Sequence, residues 1–367
     1  MNRVEDIVVI GAGVAGSATA AGLCHSGHNV ALIYRAAEEG SSFTNQKWNH
    51  SGLLYPKKWI AKKACGEFLR ASLLSRFVYH TGKPTRFLAL RQKTIEDRKR
   101  MWNDWGVRKW GLDWRLLDSE EYENPGPLGK TQAVGGFEVP DRILDFPSLI
   151  AHLRQEIVRR NGHLIQATVT RLLIERKRVR AVEFLHRGRQ RVRDCSICVL
   201  AAGPWCLQIL ARSEIKAPDL ILRKCVVLEY KGELVPGITT CLDAWRHDGS
   251  YQDVTLVPFK GTTLAAGTGF TRIEDGDDLR PEALEVERLT YQLVQCFPGL
   301  GNLKPKIITC IKTEKSPGGK PNVSPQVYGH GFHGIKGLVV AIPGKASFMF
   351  ELASKVLTNL GIDNVHD

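Results

Sequence analysis

DIVVIGAGVAGSATAAGLCHSGHNVALIYR, residues Asp6 to Arg35, carries the pattern from which the rest of the chain is read. Ile7 to Ile10 is an apolar, β-branched run with the character of a buried parallel strand. Gly11, Gly13 and Gly16 follow at once in G-x-G-x-x-G spacing. In that pattern the first glycine lets the chain turn sharply and the second lets the backbone approach a pyrophosphate. The third lets helix and strand pack closely. After Val14, the small residues from Ala15 to Cys24 predict a helix whose free N–H groups point at phosphates. His28 to Ile33 predicts a second strand. A lone glycine-rich turn is weak evidence, but strand, helix and strand within roughly thirty residues define a dinucleotide-binding βαβ unit.

The end of the second strand departs from the pattern. An acidic residue normally accepts the ribose hydroxyls there, and this chain has Tyr34 followed by Arg35. A phenol can bond one hydroxyl but is no two-fold anionic acceptor. Arg35 suits a 2′-phosphate, so the unit by itself leaves NAD, NADP and FAD open and leans slightly towards NADP.

Composition sets the frame. At 367 residues the chain can hold two domains and a large core. Its hydrophobic content of 43% and charged content of 24% are ordinary for a globular protein. No apolar run approaches membrane-spanning length, and the first strand begins close to Met1, so the expectation is a cytoplasmic protein without a signal peptide. Nine scattered cysteines suit reduced thiols. Cys195-x-x-Cys198 lies in an apolar strand-like run with no second ligand pair, so no metal site is expected. The net charge of +13 favours an anionic substrate or an acidic partner. Its densest patch is ERKRVRAVEFLHRGRQRVR, Glu175 to Arg193. A solvated basic surface is favoured there over a nucleic-acid site, since no recognisable nucleic-acid module accompanies it.

Further motifs carry a family resemblance. KWNHSGLLYP (Lys47 to Pro56), VLAAGPW (Val199 to Trp205), CIKTEKSPGGKPNVSP (Cys310 to Pro325) and PGKASF (Pro343 to Phe348) fall in order along the chain. Together they resemble the FAD-dependent oxidoreductases of the D-amino-acid oxidase superfamily, which includes glycine oxidases, flavin-dependent glycerol-3-phosphate dehydrogenases and L-2-hydroxyglutarate oxidases. In that family the first segment lies along the flavin, and a small-residue turn like AAGPW passes beside it. His50, Ser51 and Gly52 match the His-Gly-Gly of the glycerophosphate enzymes, while Leu54 replaces their phosphate-holding Arg. Glycerol 3-phosphate is therefore an improbable substrate. Asn49 stands where some members attach FAD covalently through His, so non-covalent FAD is expected. Lys312 replaces an Arg that commonly faces the substrate carboxylate, and Gly318 replaces an Asp. The Lys keeps the charge but loses the forked geometry. The PGK segment resembles the Gly-Gly-Lys that opens the final helix of the glycerophosphate enzymes. Lys345 is there a flavin-tuning or substrate-contacting candidate.

The implied fold class is α/β: a discontinuous Rossmann-type FAD-binding domain (1–80, 148–215 and 326–367) and a mixed or antiparallel-sheet α+β substrate domain (81–147 and 216–325). Helices are predicted at Ala61–His80, Thr94–Trp105, Ser148–Arg160 and Glu282–Phe297 from apolar spacing. The resemblance implies cofactor contacts from Gly11, Gly13, Val14, Ala15, Gly16, Tyr34, Arg35, Lys47, His50, Ser51, Gly52 and Leu53. Val169, Ala202, Gly203, Trp205, Gly344, Lys345, Ala346 and Ser347 complete the set. Tyr34 is read as the replacement ribose acceptor.

The implied activity is oxidation of a CH–NH or CH–OH bond in a small, anionic amino acid, amine or 2-hydroxy acid, with hydride passing to flavin N5. His50, Tyr55, Tyr251, Lys312 and Lys345 are the catalytic candidates, with Arg223 and Lys260 as further pocket residues. His50 is the best proton acceptor, since imidazole titrates near neutral pH; a satisfied structural histidine is its competing role. Two rivals stand beside this reading. One is a flavoprotein acting on a modified tRNA nucleoside, suggested by the charge and by GLLYP. The other is a degenerate FAD-binding protein without catalysis.

Overall fold

The computed structural model describes residues 6–35, 40–72, 75–124, 126–245, 251–267, 269–315, 324–329 and 331–362. Its first sheet is built on strand β1 (Asp6–Ile10), helix α1 (Val14–His25) and strand β2 (Asn29–Tyr34). Strands 163–166, β2, β1, 197–200 and 338–342 run parallel in that spatial order, and 326–328 adds an antiparallel edge. Both faces are covered. Val8 and Ile10 point into one apolar cluster, Ile7 and Val9 into the other. That is why β1 reads as an unbroken apolar run. Helix α1 packs against the Phe146–Arg159 and Met349–Asn359 helices as well as the sheet, so it too is apolar on nearly every side.

Among the described residues the second sheet has nine strands, drawn from residues 85–139 and 220–315. Its longer members, 220–231, 239–245, 251–259, 262–267 and 306–315, lie in the region where an antiparallel sheet is expected. The Ala283–Cys296 helix covers one face, where Leu289, Leu293 and Cys296 meet Val226, Leu228, Val254 and Leu256. A small sheet of strands 48–49, 142–144 and 78–79 joins the two halves.

Two predictions from periodicity need correction. The helix expected over Ala61–His80 spans Lys58–Ser72. Phe77 is instead buried against Phe146 and Leu149 in a 3-10 turn, and Val78–Tyr79 pairs with Ile143–Leu144, so tertiary packing overrides the helical spacing. The basic segment from Glu175 needs no such correction: it forms two strands, 178–186 and 189–194, of a three-stranded antiparallel sheet begun by 168–175. Helix Phe146–Arg159 begins two residues before its predicted start, because Asp145 caps it by accepting from Ser148 N at 3.1 Å.

The fingerprint glycines are set by steric contact. A Cβ on Gly16 would stand 1.8 Å from Gly11 O, and one on Gly11, whose φ is +100°, would stand 2.5 Å from Ala201 O. Neither neighbour is a side chain that can rotate away. Gly16→Ala is predicted to lower the unfolding free energy by about 3 kcal/mol or to prevent folding. Gly66→Ala, in an open helical position with nothing within 4 Å, is predicted to gain up to about 1 kcal/mol. Urea denaturation of the two variants checks the contrast.

Candidate active site

A cavity of about 510 Å³ runs between the two large sheets. At one end Gly11, Gly13, Val14 and Ala15 line it, with Gly13 as the N-cap of α1. Ser42 Oγ, on the strap that follows β2, accepts from Val14 N at 3.0 Å. A Cβ on Gly13 would stand 3.0 Å from that same oxygen. Backbone N–H groups at this turn are therefore the natural holders of phosphate.

Tyr34, Arg35, Val169 and Trp205 line a second region. The Arg154 guanidinium lies 4.5 Å from the centre of the Tyr34 ring and donates to Ala12 O at 2.9 Å. Arg35 is paired with Asp277 at 2.9 Å and lies 4.8 Å from the centre of the Trp205 ring. The middle of the wall is Ala202 and Gly203 on one side and Lys47 on the other. Burial lowers the Lys47 pKa to about 8, and its Nζ donates to Ser42 O at 3.3 Å.

The opposite end of the cavity is strongly charged. Strand 220–231 presents Arg223, Cys225 and Val227 to the cavity, and the antiparallel strand 306–315 presents Cys310 and Lys312, with Arg223 directly opposite Lys312. Glu314, two residues further on the same face, accepts from Arg223 Nη1 at 2.7 Å. Lys345 reaches in from the turn before the final helix, with Gly344, Ala346 and Ser347 beside it. That turn is a 3-10 segment, Ala346–Phe348, and the α-helix proper starts at Met349. Lys345 Nζ is 3.4 Å from His50 Nε2 and 4.4 Å from the centre of the Tyr55 ring. The Tyr55 hydroxyl lies 3.1 Å from the same His50 nitrogen.

Burial dominates the titration of this group. It drives the Lys345 pKa down to about 7, helped by the neighbouring Lys312 and Arg223 charges. Burial, with Lys345 and Lys312, also holds His50 well below the usual imidazole range. His50 is thus neutral at pH 7. Tyr55 is pushed well above the usual phenol range, again by burial first.

The remaining expected residues lie behind the wall or apart from it. Gly16 packs against Gly11, and Gly52 has φ +99° with Ala61 O at 2.4 Å from its would-be Cβ. Leu53 is fully buried, and its carbonyl accepts from Trp102 Nε1 at 3.1 Å. Ser51 serves Asp141. Lys260 is bound 2.7 Å from Asp145, away from the cavity lining. Tyr251 opens a strand, but its side chain, like Gly318, lies outside the described residues.

Sequence reasoning missed Asp141, Arg154, Asp277 and Glu314. Asp141 is buried and organises the His50 loop, accepting from Ser51 N at 2.8 Å, Ser51 Oγ at 2.5 Å and Trp48 Nε1 at 2.8 Å. Burial nevertheless raises its pKa to about 6. Its partners lie about ninety positions away in sequence, beyond the reach of any spacing argument.

The family model described as DAO, FAD dependent oxidoreductase, matches residues 6–342. The chain belongs to this family and is an FAD-dependent oxidoreductase. Iminodiacetate oxidase from Chelativorans sp. BNC1 superposes with a TM-score of 0.73 at 16% identity, over 98% of this chain and 97% of that one. Glycine oxidase from Geobacillus kaustophilus gives a TM-score of 0.70 at 17% identity, over 99% and 97%. Glycerol-3-phosphate dehydrogenase from Bacillus halodurans, solved with FAD, gives 0.71 at 17% identity, over 99% of this chain and 66% of that one. No curated protein sequence matches. Among the described residues, no helix is long and apolar enough to cross a membrane.

The residues present fit FAD. His50 Nδ1, Arg154 Nε, Arg223 Nε and Thr313 Oγ1 belong to cavity-lining residues and are buried without a hydrogen-bond partner in the protein, as a polar ligand in the cavity would explain. Asp141→Ala would leave the Ser51 and Trp48 donors unpaired. We expect it to lose about 2–3 kcal/mol of stability and to weaken FAD retention, read by denaturation and by the flavin content of the purified protein.

Proposed function

We propose that the protein oxidises the carbon bearing the nitrogen in a small amino acid or amine that also carries a carboxylate. The observation that supports this most directly is the cation excess at the reacting end. Arg223, Lys312 and Lys345 face one cavity against a single carboxylate, Glu314, which is paired directly with Arg223. A buried cation without a counter-ion is costly, so an anion brought by the substrate and charge gathered on a reduced cofactor both lower that cost. The glycine oxidase and iminodiacetate oxidase neighbours are named for substrates that carry both a nitrogen and a carboxylate.

Bound FAD would accept the two electrons and the hydrogen from the substrate carbon. The protein's own contribution is placement and charge. Lys312 and Arg223 anchor the carboxylate from the sheet side. Neutral His50, its Nε2 engaged by Tyr55 and Lys345, orients the substrate nitrogen; with its pKa held well below the imidazole range it is a weak base, not the proton acceptor its residue type suggests. Lys345, next to both, sets the charge that favours an anionic reactant. Leu54 supplies an apolar wall.

The sign of the pH dependence follows from Lys345. Its pKa near 7 means that the cation is present below that pH and lost above it. The KM of a carboxylate substrate is predicted to rise between pH 7 and 9, by up to about tenfold per unit. Lys345→Met should raise KM at pH 6 and flatten the profile.

Anaerobic mixing with a panel of amino acids, N-substituted amino acids, 2-hydroxy acids and decarboxylated amines tests the reading. Bleaching of the flavin by a nitrogen-bearing carboxylate, and not by its decarboxylated analogue, is the expected result. Bleaching only by 2-hydroxy acids, or equally by the decarboxylated amine, would overturn it.

A further inference from the structure

We infer that Asp277, from the second sheet's side of the molecule, supplies the anionic acceptor for the adenosine ribose that the end of β2 lacks. The inference rests on FAD occupying the cavity, and not on the choice of substrate.

Three observations converge. First, Asp277 lines the cavity beside Tyr34, Arg35 and Trp205. Its Oδ1 accepts from Arg35 Nη1 at 2.9 Å and from Trp205 Nε1 at 2.7 Å. Arg35 is the residue that would otherwise invite a 2′-phosphate. Held against a carboxylate, it no longer presents an uncompensated charge there. Despite some burial, the bonds from Trp205 and Arg35 hold the Asp277 pKa below the usual carboxylate range, so it is an anion at neutral pH.

Second, the turn carrying Asp277 is built against the cofactor-facing backbone. A Cβ on Gly276 would stand 2.9 Å from Pro204 O, in the AAGPW turn. Gln208 Nε2 donates to Asp275 Oδ1 at 2.6 Å, and Asp277 N donates to the same oxygen at 2.9 Å. Third, the turn is pinned from beneath. Lys224, only 2% exposed, reaches Asp278 Oδ2 at 2.9 Å and Glu282 Oε1 at 2.7 Å. The carboxylate is therefore held in place rather than displayed on a free loop.

Tyr34 is the remaining candidate for the same hydroxyls. Its ring is covered by Arg154, and its single hydroxyl can satisfy one ribose oxygen at most. Asp277, with Oδ1 taken by Arg35 and Trp205, keeps Oδ2, whose two lone pairs can accept from both hydroxyls.

The test uses apoprotein and two probes, ADP and 2′,3′-dideoxy-ADP, with affinities measured by calorimetry. Wild type should prefer ADP by about tenfold, the scale of a hydrogen bond to a charged group. Asp277→Asn should lose most of that preference while binding the dideoxy nucleotide as wild type does, and Tyr34→Phe should keep it. An equal loss for both nucleotides in Asp277→Asn would mean a purely structural clasp and would overturn the inference. So would loss of the preference in Tyr34→Phe. Failure of wild type to bind FAD or ADP at all would overturn the cofactor assignment itself, a distinguishable result.

Discussion

Everything in this protein depends on a backbone contact too close for any side chain. Gly11 passes against Ala201 and Ala202, and Gly16 lies against the carbonyl of Gly11. That contact brings the turn after β1, the start of α1 and the end of the 197–200 strand to one point. The N-terminus of α1 then opens onto the cavity, with Val14 N held by Ser42 Oγ, and the AAGPW turn forms its adjoining wall. The cavity is a consequence of strand order: it opens outside the carboxyl ends of the parallel strands, where the topology leaves a crevice.

Strand 220–231 has a comparable role on the other side. Alternation sends Arg223, Cys225 and Val227 into the cavity. Val226 and Leu228 point to the opposite face and pack into the core under the Ala283–Cys296 helix, and Lys224 points the same way to pin the turn bearing Asp277. One strand therefore carries charge into the cavity on one face and pins the turn bearing Asp277 on the other. Asp141 does the equivalent for the His50 loop, where one buried carboxylate collects donors from Trp48 and Ser51.

Much of this was legible in the residues. The βαβ unit, the AAGPW turn and the PGK turn are local, and each depends on small residues where the backbone must come close. The apolar and alternating runs likewise gave the two sheets, because period and burial are written within a strand. What could not be read were the long-range pairings. Asp141 with Ser51, Asp277 with Arg35, and Glu314 with Arg223 each join segments some ninety or more positions apart. Lys260 shows the reverse error: a cation near the right strands is taken up by Asp145 at a helix cap. Phe77 and Val78 fit a helical period, yet packing on Phe146 and pairing with Leu144 bent them out of it.

The central proposal is that the buried cations of the cavity, led by Lys345, would lie against the redox-active ring of bound FAD. The midpoint potential of the bound FAD tests this most directly, because positive charge there favours the reduced, more anionic form. The account predicts a potential above that of free FAD at pH 7, lowered in Lys345→Met. A bound potential at or below that of free FAD, unchanged by the substitution, would contradict it.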